Sequence, residues 1–139
     1  MKAYYRNEHG QSPVVLRSPE DVDNLIDELL VSDPSGNMAF LHSLERPLMP
    51  AGVPDHKLMV GAEGGLQVGV LTFVDDGNFV SLGPDAGRGE VSYSVTENAT
   101  EFPVRSEIPI TLVRRAVKEF LSSSGKRPEC VEWQVPEIW

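Results

Sequence analysis

Residues 58–82, LMVGAEGGLQVGVLTFVDDGNFVSL, decide the fold. Leu58 to Ala62 and Leu66 to Val74 read as two strands around Glu63-Gly64-Gly65, a tight hairpin connection. Asp75-Asp76-Gly77 then turns the chain into a third strand, Asn78 to Leu82, and this second hairpin is the strongest such signal in the chain. Val70, Leu71, Phe73 and Val74 are nearly unbroken in apolarity, which predicts a central strand covered on both faces. Three strands joined by hairpins form an antiparallel meander, and such a sheet needs an apolar partner layer.

Outward from this stretch, two segments supply that layer. Ser18-Pro19-Glu20-Asp21 has a capping serine, a proline suited to the first helical position and two carboxylates at the positive end. Val22, Leu25, Ile26, Leu29 and Leu30 follow on one helical face, and Asp33-Pro34-Ser35-Gly36-Asn37 ends the helix. Pro109 opens a second helix through Ser124, with Leu112, Val113, Ala116, Val117, Phe120 and Leu121 as its stripe. Gly125 stops it and Pro128 prevents resumption.

The remaining segments are shorter. Lys2 to Arg6, Pro13 to Leu16 and Met38 to Leu44 read as extended, whereas Pro47, Pro50, Gly52 and Pro54 deny regular structure to Glu45–Lys57. Val91, Tyr93 and Val95 alternate with polar residues, as in a strand with one wet face. The signal from Glu97 to Glu107 is weak. Val131, Trp133 and Val135 read as the inward residues of a closing strand. The expected fold is α+β: one domain over residues 1–139, a mostly antiparallel sheet of about six strands, and two helices on one face.

With 139 residues, the chain suits one core. No apolar run reaches the roughly 18 residues of a membrane span, and Met1 to Glu8 lacks the apolar stretch of a secretory signal. A single cysteine, Cys130, forms no internal disulfide, so a cytoplasmic setting is expected. Twelve Lys and Arg against 21 Asp and Glu leave a net charge of −9. Nucleic acid and anionic membranes carry the same sign, so the expected partner is a basic protein rather than either of these. Acidity also serves solubility alone.

Catalytic and cofactor chemistry finds little support. The Gly83–Gly89 loop precedes an alternating strand rather than a helix, so it lacks the N-terminal amides of a phosphate cradle. His9, His42, His56 and Cys130 are isolated, where a zinc site presents paired ligands. Ser81 lacks the glycine of a nucleophile elbow, and Asp75-Asp76 suits a turn better than a calcium loop. No enzyme, no metal and no cofactor are therefore expected.

Three sequence words in order, F-V-S-L-G at Phe79–Gly83, I-P-x-x-L-V-x-x-A-V-x-E-F-L across Pro109, Glu119, Phe120 and Leu121, and R-P-x-x-V-x-W across Arg127, Pro128 and Trp133, resemble the first numbered family of bacterial immunity proteins. The resemblance covers roughly residues 73–133 and the first helix only generically, and Met38 to Lys57 has no counterpart in it. Ser122-Ser123-Ser124-Gly125 departs from the family's usually shorter Thr-Gly ending. Its residues look like scaffold: Leu82 and Phe120 as core, Gly83 and Pro128 as punctuation, Trp133 as a partly buried anchor. The resemblance implies a cytoplasmic inhibitor that covers the active site of a polymorphic toxin domain, often a nucleic-acid deaminase whose zinc belongs to the toxin. Carboxylates would occupy the cationic groove of such an enzyme as phosphate surrogates. The expected toxin-binding residues are Asp75, Asp76 and Asn78 at one turn, Asp85 and Glu90 in the next loop, and Asp23 and Asp27 on the first helix. An acidic nucleic-acid-mimicking regulator or adaptor, and a small enzyme with an unrecognised site, are the alternatives.

Overall fold

The alternation and turns of residues 58–82 produce the antiparallel meander they predict. In a computed structural model that describes residues 1–84, 88–137 and 139, the strands in chain order are β1 (Lys2–Tyr4), β2 (Val14–Val15), β3 (Met38–His42), β4 (Lys57–Glu63), β5 (Val68–Val74), β6 (Asn78–Ser81), β7 (Val91–Val95), β8 (Asn98–Phe102), β9 (Ile108–Pro109) and β10 (Trp133–Gln134). The helices are α1 (Pro19–Leu30) and α2 (Ile110–Ser122). The main sheet runs β10-β6-β5-β4-β3-β1-β2, with β9 also on β5, and all its pairings are antiparallel. It has eight strands against the six or so expected, and β7 and β8 form a separate two-stranded hairpin. The strands that the sequence reading did not show are β8, which buries only Phe102, and the two-residue β9, too short to show any periodicity.

Register explains why β5 is apolar on both faces. Ala39, Val60 and Leu71 line up across β3, β4 and β5, and they belong to the cluster containing Ile26, Leu29, Val113, Val117 and Phe120. Met38, Gly61 and Val70 line up one residue away and face the opposite side. There Met38 and Val70 pack with Tyr93, Val95 and Phe102 of the β7–β8 hairpin. The helices therefore cover one face and the hairpin the other. Gly61 is the point of closest approach, since a Cβ there would lie 2.6 Å from the Tyr93 ring and 2.9 Å from Val70.

Both helices form where their stripes predict. Ser18 Oγ accepts the Asp21 N–H at 3.2 Å while Asp21 Oδ2 accepts the Ser18 N–H, a reciprocal capping box. Val22, Leu25, Ile26 and Leu29 are buried, and so are Val113, Ala116, Val117 and Phe120 of α2. Complete burial of a side chain such as Phe120 contributes about 1.5–3 kcal/mol. The end of α2 differs in detail from expectation. Ser124, at φ 62°, takes the left-handed position, and the Gly125 N–H closes back onto the Phe120 carbonyl at 3.0 Å, a Schellman arrangement. Gly125 is needed because a Cβ there would meet Ser43 and Arg46 at 2.6 and 2.7 Å.

Three side chains depart from the sequence reading. Leu66 belongs to the 64–67 turn, not to β5, and is exposed. Leu82 lies beyond β6, gives its N–H to the Glu132 carbonyl, and is half-buried outside both core clusters. Val135 follows the last strand residue and is 73% exposed, because β10 ends at Gln134 before Pro136.

Some of the residues behind the family resemblance, Phe79, Ser81, Arg127, Pro128 and Trp133, meet around β6 and β10. The Arg127 guanidinium lies 4.0 Å over the Phe79 ring, Trp133 pairs with Ser81, and the Trp133 indole N–H donates to the Pro128 carbonyl at 2.9 Å. Gly83 passes so close to the Glu107 carbonyl that a Cβ would overlap it. Ser81, fully buried, accepts the Leu71 N–H at 3.0 Å and donates to the Ser106 carbonyl at 2.6 Å. It fills the gap on the β5 edge between β6, paired at residues 72–74, and β9, paired at 68–69.

Candidate functional site

The expected toxin-facing acids sit in three separate places. Asp75 and Asp76 occupy the β5–β6 turn, both exposed, and Asn78 opens β6 half-buried. The turn is closed by its own sequence: Asp75 donates its N–H to the Gly77 carbonyl at 3.1 Å, and Asp75 Oδ1 accepts the Gly77 N–H at 3.4 Å. This turn borders a cleft of about 730 Å³ that also presents Arg46, Lys126 and Arg127. The two aspartates thus share their surface with three cations.

On α1, Asp23 and Asp27 face α2 rather than open solvent alone. Arg114 reaches Asp23 at 3.0 Å and Asp27 at 2.5 Å, and Lys118 reaches Asp23 at 2.9 Å. The hydrogen bond from Lys118, helped by Arg114, holds the Asp23 carboxyl below its ordinary range. These acids form a clasp between the helices.

The third place is the approach to the β7–β8 hairpin. Asp85 lies outside the described residues. Beyond it, Arg88 makes a two-pronged pair with Glu107 at 3.0 and 2.6 Å, and the Tyr93 hydroxyl donates to the same carboxylate at 2.6 Å. Burial alone would raise the Glu107 carboxyl, but the bonds from Arg88 and Tyr93 overcome it and keep it below the usual range. This triad anchors the end of the loop on the hairpin. Glu90 follows, exposed, and lines a groove of about 520 Å³ together with Glu101, Phe102, Pro103, Val104, Gln134, Val135, Pro136, Glu137 and Trp139. Of these, sequence reasoning named only Glu90 as a site residue. The one signal for the rest was two short Pro-containing acidic–apolar stretches, 101–104 and 134–137, whose meeting no spacing reveals.

The histidines are engaged in the backbone. His9 Nδ1 accepts the N–H groups of Tyr5 and Arg6 at 3.1 and 3.0 Å. His56 is buried, with Nδ1 on Asp55 at 2.9 Å and Nε2 accepting the Ser43 N–H at 2.8 Å. The His42 ring lies 5.9 Å from it, with Nδ1 on the His56 carbonyl. Cys130 is half-buried and packs against the helix-side core. Among the described residues, no group of three or more His, Cys, Asp or Glu is placed to hold a metal ion, and no helix is long and apolar enough to cross a membrane.

The model of the family described as immunity protein Imm1 matches residues 10–135. That span reaches past the 73–133 region of the sequence resemblance to include α1 and the proline-rich 45–57 segment. No curated protein matches the chain.

Proposed function

The chain belongs to the Imm1 family of immunity proteins, and we propose that it acts as a single domain in the cytoplasm, binding a nucleic-acid deaminase toxin and occluding its active site. An immunity protein of a toxin system has a cognate toxin as its partner; the deaminase class and basic character of that toxin are the proposed part. The family match over residues 10–135 carries the reading. The net charge of −9 supports it, because a nucleic-acid enzyme offers a cationic groove that complementary carboxylates can enter quickly.

Inhibition in this reading is steric and electrostatic, without catalysis or a cofactor of the chain's own, and any zinc is the toxin's. Of the proposed toxin-facing residues, Asp75, Asp76, Asn78 and Glu90 are reachable without breaking an ion pair, and Asp85 lies five positions before Glu90 in sequence. Asp23 and Asp27 would first have to release Arg114 and Lys118.

Cloning the toxin domain from the gene next to this chain's and titrating the purified chain into it tests the proposal, and a neighbour without a deaminase domain would overturn the deaminase part. Deamination of a single-stranded oligonucleotide should fall to background at a one-to-one ratio. Full activity with a several-fold excess of the chain would overturn it.

A further inference from the structure

We propose that the groove rimmed by Glu90, Glu101 and Glu137 is the seat of the cognate toxin, and that it receives a cationic loop whose long apolar stems lie along Val104 and Val135. This assignment rests on the immunity reading above.

The floor is apolar where a solitary surface would be polar. Val104 is 52% exposed, Val135 73% and Trp139 42%, and all three line this one groove. Single exposed apolar residues are ordinary, but a gathered set rimmed by polar groups marks an interaction surface. The Trp139 ring stands 5.5 Å from that of Phe102, which is buried in the hairpin-side core. Aromatic residues anchored this way concentrate binding energy at interfaces.

The walls are also pre-set. The Gln134 side-chain amide donates to the Ser81 carbonyl at 3.1 Å and the Val104 carbonyl at 3.2 Å, tying the two walls together. Pro103 and Pro136 restrict the backbone on either side. A surface ordered before binding loses less entropy when a partner arrives.

Charge selects the occupant. Among the described residues lining the groove there is no Lys or Arg, and Glu90, Glu101 and Glu137 carry no hydrogen bond or ion pair. This separates the groove from the two other acidic regions: Asp75 and Asp76 share their cleft with Arg46, Lys126 and Arg127, and Asp23 and Asp27 are paired with Arg114 and Lys118. Nucleic acid would be repelled by the three carboxylates. A second copy of this chain would bring a net charge of −9 against them. A basic protein surface meets both demands, with ammonium or guanidinium groups on the rim and their methylene stems on the floor.

The probe is the catalytically inactive deaminase domain encoded beside this chain's gene, with rates measured by surface plasmon resonance at low and high salt. The variant E90K/E101K/E137K should associate at least tenfold more slowly at low salt and lose most of its salt dependence. The variant V104S/V135S should associate at the parental rate and dissociate at least tenfold faster. These side chains lie at the surface, so both variants should keep the parental unfolding midpoint. If the parent binds and both variants match it within twofold, the groove assignment falls while the immunity reading stands. The groove assignment falls in the same way if only D75K/D76K loses binding. If the parent itself fails to bind, the reading and the groove fall together.

Discussion

Replacing Ser81 by Ala should destabilise the protein far more than the loss of one hydroxyl suggests. The side chain is fully buried, and its oxygen serves two backbone groups that no ladder pairing reaches. β6 pairs with β5 only at residues 72–74, and β9 takes up the same edge at 68–69. Ser81→Ala would leave the Leu71 N–H and the Ser106 carbonyl unpartnered in the interior. Each buried unsatisfied group costs about 1–3 kcal/mol. Partial relaxation of the edge brings the sum to roughly 2–4 kcal/mol, because a small vacated site lets the backbone shift. At about 4 °C per kcal/mol for a chain of this size, the unfolding midpoint should drop by roughly 8–16 °C. Calorimetry measures that drop, and hydrogen exchange locates it. The Leu71 amide should lose its protection while Thr72, in the β5–β6 register, keeps its own. A midpoint within 2 °C of the parent, with Leu71 still protected, would refute the stitching role.

Phe120→Ala should cost about 3–5 kcal/mol by urea denaturation, since the ring is fully buried between α2 and the sheet; a loss below half a kcal/mol would mean that the stripe is not core. Gly61→Ala should cost about 1–3 kcal/mol, because the new methyl must displace the Tyr93 ring or Val70; near-UV circular dichroism should show Tyr93 repacking, and an unchanged spectrum and midpoint would argue against close hairpin docking. Burial lowers the His42 and His56 pKa values, so the fold holds both rings neutral. The unfolded chain takes up those protons first as pH falls below about 6.5, so stability present above that value is lost down toward the folded pKa values. The parental midpoint should therefore fall more steeply between pH 7.5 and 5.5 than that of His56→Gln, and equal slopes would refute the assignment.

Where structure depends on neighbours in the chain, the sequence was sufficient. The α1 cap, the two apolar stripes and the β4–β5–β6 meander rest on residues one to eight positions apart, so propensity and period exposed them. The double-sided apolarity of β5 announced a second covering layer, which the β7–β8 hairpin supplies. Half of that hairpin went unseen, because β8 reads Asn98-Ala99-Thr100-Glu101-Phe102 and buries only Phe102. The state of each acid was equally hidden. Asp23 and Asp27 read as acids open to a toxin, whereas α2, some 90 residues later, brings Arg114 against them. Glu90, Glu101 and Glu137 are scattered through the chain, and only the fold sets them on one rim, with no Lys or Arg among the described residues that line it. Sequence alone determined the scaffold and the sign of the net charge, because both follow from local pattern and composition. Which carboxylates are paired with a cation and which are not was decided by tertiary structure, because Coulomb energy depends on distances that only the folded chain defines.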